Sequence, residues 1–420
     1  VPDTGDDTSA VGASSSTTGD PPGPVPPQGV SGLADRVKTR DRNAPRREER
    51  TAINLGNKHF NAVFGGLEQG ASFGGGIELT TADSIPGIEF RLTAITSFKL
   101  YRRFEGAAHV PRIGDEKTHA DVWFSYLRRT KDHFFGIGPQ TRESSRTNYD
   151  VEQRSYQGVV SRDISDDFQV GIYGGVTNAS NYRGQDDRDP PIDLIFSGDP
   201  NVVPITDFVP ALGAGSKILD YGVYAEYNGR DNTRGLTRGV YLYGRFGSAD
   251  GLDEDNVFSD YGWHEIELDA RGYLPLGSDR TSLALRMLTE QKREKGGSQI
   301  PFYDLSRLGG RNYVRGFDTY RFHANNLLLF SIELRRTLYA RKDDQGFDVA
   351  AFGDAGQPWG DNRSKTDPQV IQNDKFDSAN WKFSLGGAAE FRFSAKLAFR
   401  VDVAHSAEAN KVYFSVSRGF

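Results

Sequence analysis

From about His59 to the end, apolar and polar residues alternate one by one over long stretches, and that rhythm confines the chain to β-structure. Between Leu397 and Val403, the residues Leu397, Phe399, Val401 and Val403 share one face, while Arg400 and Asp402 take the other. Trp381, Phe383, Leu385, Phe391 and Phe393 oppose Lys382, Ser384, Glu390 and Arg392 in the same way. Successive side chains of a strand point to opposite faces, so each stretch has one greasy and one charged surface. In a soluble sandwich the greasy surface turns inward. In a membrane barrel it faces lipid, and the charges fill a wet lumen. Alternation by itself does not choose between the two.

Length and spacing choose the barrel. The alternating stretches often run to around 10–13 residues, whereas strands of globular proteins usually have about 5–6. Short breaks alternate with long polar ones, such as Tyr182 to Lys217 and Lys292 to Asn325, as tight turns on one side and large loops on the other require. The mean hydropathy is -0.58 and 26% of residues are charged, a balance that reads at first as soluble. No run reaches the roughly 18–20 apolar residues of a membrane helix, but a spanning strand needs only about 9–11, half of them apolar. Gly 48, Phe 27 and Tyr 18 against Met 1 suit glycine-rich strands with aromatic girdles. Direct reading gives roughly fifteen strands; bacterial barrels have an even number, so sixteen are expected. Either two strands are merged between Gly87 and His109, or one is missed near the start.

Residues 1–57 are expected to be a periplasmic extension and 58–420 the barrel. Val1 to about Gln28 is Pro-, Ser- and Asp-rich with almost no aliphatic content, a composition that does not fold. A basic stretch from Arg36 to Arg50 follows, which reads as a solvated tether or as a docking segment for acidic partners or headgroups. The chain has no cysteine, hence no disulfide and no thiolate metal site. The sequence opens at Val1 with no basic n-region and no apolar h-region, so either a signal peptide has been removed or none existed, and export requires the former.

Two segments carry the mechanism. Gly309-Gly310-Arg311-Asn312-Tyr313-Val314-Arg315-Gly316-Phe317 is a glycine-punctuated loop that presents an arginine, and Phe352-Gly353-Asp354-Ala355-Gly356 ends a strand with a carboxylate. On Asn326 to Leu338, Leu328, Phe330, Ile332 and Leu334 share a face, which turns Glu333 the other way. Alternation from Phe347 onward places Phe352 and Asp354 on the inner side too. Glu333 and Asp354 therefore enter the lumen from adjacent strands, where one arginine fork can bind both.

These motifs resemble those of the BamA/TamA-like outer-membrane assembly factors. The resemblance implies a long extracellular loop folded into the lumen, its tip Val314, Arg315, Gly316 and Phe317 pinned to the wall residues Phe352, Asp354 and Gly356. Glu333 corresponds to the acidic residue on the strand after the loop. Phe134-Phe135-Gly136-Ile137-Gly138 is similar to an aromatic-Gly-Ile-Gly turn of the same superfamily. The terminal aromatic Phe420, on a strand with Val412, Phe414 and Val416, resembles the assembly signal of outer-membrane proteins, although Arg418 interrupts the stripe. The recruiting POTRA modules of the family have no counterpart in the first fifty-odd residues, which suggests a POTRA-less branch.

The implied activity is insertion or translocation of proteins at the bacterial outer membrane. It would proceed through a weak seam between a first strand around Asn61 to Gln69 and a last strand Lys411 to Phe420, with Gly65, Gly66, Gly419 and Phe420 as candidate seam residues. Outer-membrane lipid, unfolded clients and periplasmic or lipoprotein subunits are the implied partners. The alternative is a passive or partly plugged pore, or a structural subunit of an envelope complex. An enzyme is not expected. The seven histidines, His133, His264 and His405 among them, are scattered, and neither His-Glu-x-x-His nor Gly-x-Ser-x-Gly occurs. No cofactor, metal site or nucleic-acid partner is implied.

Overall fold

The computed structural model describes residues 58–417 except 67–72, 86–87, 98–99, 200, 203–207, 231–237, 253–260, 279, 342–344, 361–374 and 395–396. The proposed extension, Gly419 and Phe420 lie outside the described residues. The strands are β1 Lys58–Gly66, β2 Phe73–Ile85, β3 Ile88–Ser97, β4 Arg102–Val110, β5 Thr118–Phe134, β6 Thr147–Asp163, β7 Phe168–Arg183, β8 Gly215–Asn228 and β9 Gly239–Gly251. They continue with β10 Gly262–Pro275, β11 Thr281–Glu294, β12 Ser306–Leu308, β13 Phe322–Ala324, β14 Asn326–Ala340, β15 Gly346–Trp359, β16 Lys382–Ser394, β17 Leu397–Ser406 and β18 Asn410–Ser417. Sixteen of them form one antiparallel sheet in chain order, interrupted only where β11 passes to β14. The two short strands β12 and β13 pair with each other inside that β11–β14 loop. β1 and β18, the two ends of the sheet, approach within 8 Å between Cα atoms as the sheet curves round into a barrel, with no paired register between them among the described residues.

The count of sixteen agrees with the even number expected, and the stretch Gly87 to His109 does contain two strands, β3 and β4. Their connection after Ser97 is so brief that alternation runs almost unbroken across it. The first strand begins three residues earlier than the sequence suggested, at Lys58 rather than Asn61.

Polarity settles which face meets lipid. On β14, Phe330, Ile332 and Leu334 are 42%, 49% and 45% exposed while Glu333 between them is 7% exposed. Phe383, Leu385, Val403, Val412 and Phe414 are likewise outside, and Asp348, Asp354, Arg400 and Asp402 are buried. A one-residue slip would exchange the faces, so the alternation fixes register along the wall. At the long-loop rim, Trp381 neighbours Phe330, Phe376 and Phe383 at 6.2 Å, an outward aromatic cluster of the kind found at membrane boundaries.

The largest apolar cluster lies under the long loops, while a smaller one, with Trp123, Val159, Tyr173, Tyr224, Tyr241 and Tyr243, lines the wall of β5–β9 nearer the short turns. Phe134, Tyr149, Phe196, Phe302, Tyr303 and Leu305 form one cluster that joins the ends of β5 and β6 to the β7–β8 and β11–β14 loops. A second cluster, with Leu308, Tyr313, Val314, Phe317, Phe322 and Leu329, seats the β11–β14 loop on the inner wall.

Candidate functional site

The β11–β14 loop folds into the lumen and brings Arg315 against β14 and β15. Its Nε and Nη2 donate to Asp354 Oδ2 and Oδ1 at 2.9 and 2.8 Å, and its Nη1 donates to Glu333 Oε2 at 2.9 Å. The Arg315 backbone N–H adds a 3.2 Å bond to Asp354, and Ser384 of β16 donates to the same carboxylate at 3.0 Å. The guanidinium lies 3.3 Å from the centre of the Phe352 ring. A planar fork is suited to this arrangement because one carboxylate takes two parallel bonds and a second takes the remaining edge.

Two glycines make the approach possible. A Cβ on Gly356 would lie 2.7 Å from Val314 Cγ2, and one on Gly316 would lie 2.5 Å from Ser406 Cβ and 2.8 Å from the backbone at His405. Val314 and Phe317 are buried beside them. The sequence motifs thus mark both the polar bonds and the places where the backbone must come close.

The cluster is larger than sequence reading suggested. Arg400 of β17 donates to both Glu333 oxygens at 2.9 and 3.0 Å and to Asp402 at 2.8 and 3.0 Å. Arg335 donates to Glu333 at 2.6 Å. Three guanidinium groups, Arg315, Arg335 and Arg400, therefore face three carboxylates, Glu333, Asp354 and Asp402, which neutralises charge that could not otherwise be buried. Alternation had placed Arg400 and Asp402 on the inner face of β17; what was missing was that β17 lies across the lumen corner from Glu333.

The tip also grips the end of the barrel. Tyr413 of β18 donates to the Arg315 and Phe317 carbonyls at 2.7 and 3.0 Å, Ser406 donates to the Gly316 carbonyl at 2.8 Å, and Lys411 pairs with Asp318. Arg321 joins three segments: it donates to Glu408 at 2.8 and 2.9 Å, to Thr141 Oγ1 at 2.8 Å and to the Thr141 carbonyl at 2.7 Å. The Phe134–Gly138 turn docks here as well, with Gly138 N–H donating to the His323 carbonyl at 2.7 Å.

Of the candidate seam residues, Gly65 and Gly66 fall in β1, where they pair with Gly74 and Phe73 of β2. His133, Asp186 and Asp189 have ligand-type atoms within 4.8 Å of one another. Arg188 donates two hydrogen bonds to Asp186 and Arg146 lies 3.1 Å from Asp189, so these groups are engaged with cations of the chain itself.

Residues 110–420 match the Omp85 superfamily domain. No curated protein matches the chain. Among solved structures, BamA from Haemophilus ducreyi lacking POTRA domains 1-3 is similar at a TM-score of 0.64 and 15% identity, over 86% of this chain and 69% of that one. CdiB from Escherichia coli gives 0.56 and 13% over 88% and 64%, and CdiB from Acinetobacter baumannii gives 0.51 and 15% over 87% and 60%. This chain thus spans less than two thirds of either CdiB chain. At these identities the likeness is one of fold, and the fold, the inward loop and the domain match agree: the chain belongs to the Omp85 superfamily, as an outer-membrane β-barrel.

Proposed function

We propose that this barrel assists insertion or translocation of polypeptides at the outer membrane, by transient opening between β1 and β18, without covalent chemistry or a cofactor. The observation that carries the reading is the grip of the loop tip on β18. One edge of the closure, β18, is held from inside by Tyr413 and Lys411, while the same tip is fixed to the rigid wall through Arg315. The sheet order begins at β1 and ends at β18, and glycines in β1 weaken strand pairing. An even strand number puts both ends of the sheet at the short-turn end of the barrel, which would place residues 1–57 in the periplasm. Unfolded outer-membrane clients, and periplasmic or lipoprotein subunits that deliver them, are the partners this reading calls for.

The absence of native cysteine makes the test clean. Paired cysteines introduced along β1 and β18 are cross-linked in proteoliposomes, and folding of an unfolded barrel client is followed. Client insertion should fall sharply when the seam is linked and recover on reduction. Undiminished insertion with complete cross-linking sinks the proposal. Large steady single-channel conductance would instead identify an open pore, since the seated loop should leave only small, flickering currents.

A further inference from the structure

We infer that the buried face of the β12–β13 ladder holds a small inorganic anion, of halide size, between the inward loop and the barrel wall. The site is distinct from the Arg315 cluster and plays no part in the proposed seam opening.

Arg307 of β12 stands opposite His323 of β13 in the ladder, and both are 0% exposed. Nε, Nη1 and Nη2 of Arg307 are buried with no hydrogen-bond partner. Its guanidinium lies over the Tyr320 ring at 4.2 Å. Arg129 of β5 lies 5.8 Å from the same ring, paired through Nε with Asp132 at 3.3 Å, while its Nη1 and Nη2 have no acceptor. The Tyr149 hydroxyl and both His323 ring nitrogens are also buried without partners. Phe134 closes the cluster, 5.0 Å from the His323 ring and 6.4 Å from that of Tyr149.

Apart from the Asp132 carboxylate, which pairs with Arg129, the unmet groups that converge here can each donate. Ring faces attract a guanidinium but accept no N–H bond in its plane, so cation–π stacking leaves its donors unmet. Asp304 contributes its field to Arg307 but makes no ion pair with it among the described residues. The other deeply buried loop arginines differ: Arg315 has two carboxylate partners, and Arg321 has Glu408 and Thr141. A buried cation needs a paired negative charge. A halide supplies one and accepts several N–H and O–H donors at once. Enclosure of Arg307, His323, Tyr149 and Arg129 at 2% exposure or less favours a single small ion over an organic acid, which would need an open face.

The test uses the whole wild-type chain, crystallised from bromide in place of chloride. Anomalous diffraction should show a bromide peak within hydrogen-bonding reach of the Arg307 guanidinium. In parallel, chloride is exchanged for gluconate at constant ionic strength and heat unfolding is followed. At chloride about 100-fold above its Kd, the folded state should gain roughly a factor of 100 over unfolded. Arg307→Gln should abolish that dependence, and Arg307→Lys should weaken it while keeping the charge. An anomalous map with no peak at Arg307 overturns the inference even if the variants fail to fold. So does an equal chloride response in wild type and Arg307→Gln.

Discussion

Glu333 shows why this site depends on individual atoms. Arg315, Arg335 and Arg400 all bond to its carboxylate, and Arg315 also binds Asp354 through the Nε–Nη2 edge of its guanidinium. Arg315→Ala strands Asp354 in a buried position and is expected to cost about 3–5 kcal/mol locally. The barrel should then lose heat-modifiable gel mobility at a lower temperature than wild type. Arg315→Lys keeps the charge without the fork and should fall between the two. Arg315, Glu333 and Asp354 were legible in the sequence because two of them sit on alternating strands next to the loop that carries the third. The contribution of Arg400 was not, because strand alternation reports the face of a residue and says nothing of which distant strand curves round to meet it.

At the scale of elements, the β11–β14 loop acts through β18 and through its own short hairpin. Tyr413→Phe removes one O–H donor shared between the two loop carbonyls, worth about 0.5–1.5 kcal/mol. Amide exchange in β18 should accelerate while the β14–β15 ladder stays unchanged; equal exchange in both would remove Tyr413 as the link. The hairpin also has an internal pH balance. Burial raises the Asp304 carboxyl from 3.8 to about 6, so it favours the seated loop at low pH and loses that contribution as pH rises through this window. His323 works in the opposite sense: burial, with Arg307, Arg129 and Arg321 nearby, holds it neutral well below its usual 6.5, so its contribution is lost as pH falls below that value. The two slopes run in opposite directions as pH rises through the Asp304 window from 3.8 to about 6. Asp304→Asn leaves only the histidine contribution, and in halide-free buffer its loop should open more readily as pH falls below 6.5, by up to about tenfold per pH unit and more steeply than in wild type. Hydrogen exchange over residues 302–324, corrected for intrinsic rates, measures this.

For the whole molecule, the decisive property is that charges are inside and hydrocarbon outside. Ile332, 49% exposed on the lipid side, borders Glu333, which is buried. Ile332→Arg should cost about 2–4 kcal/mol of folding stability in a bilayer, read from denaturant titration in vesicles. Barrel architecture and strand number were legible because alternation and break length repeat along the chain. The connection between β3 and β4 was harder to see, since the four residues 98–101 between them scarcely disturb the period. The core under the loops was invisible, because Phe134, Phe196 and Phe302 belong to no shared pattern and meet only in three dimensions.

That core has a consequence for the order of assembly. Its rings come from segments separated by well over a hundred residues, so the lid they form has nothing to rest on until the intervening staves stand upright. A barrel arrested midway through its own folding would be an uncapped tube with sticky aromatic flaps at the rim. Proteases added from the long-loop side should distinguish that juvenile form from the mature one by cutting between Pro301 and Asn325.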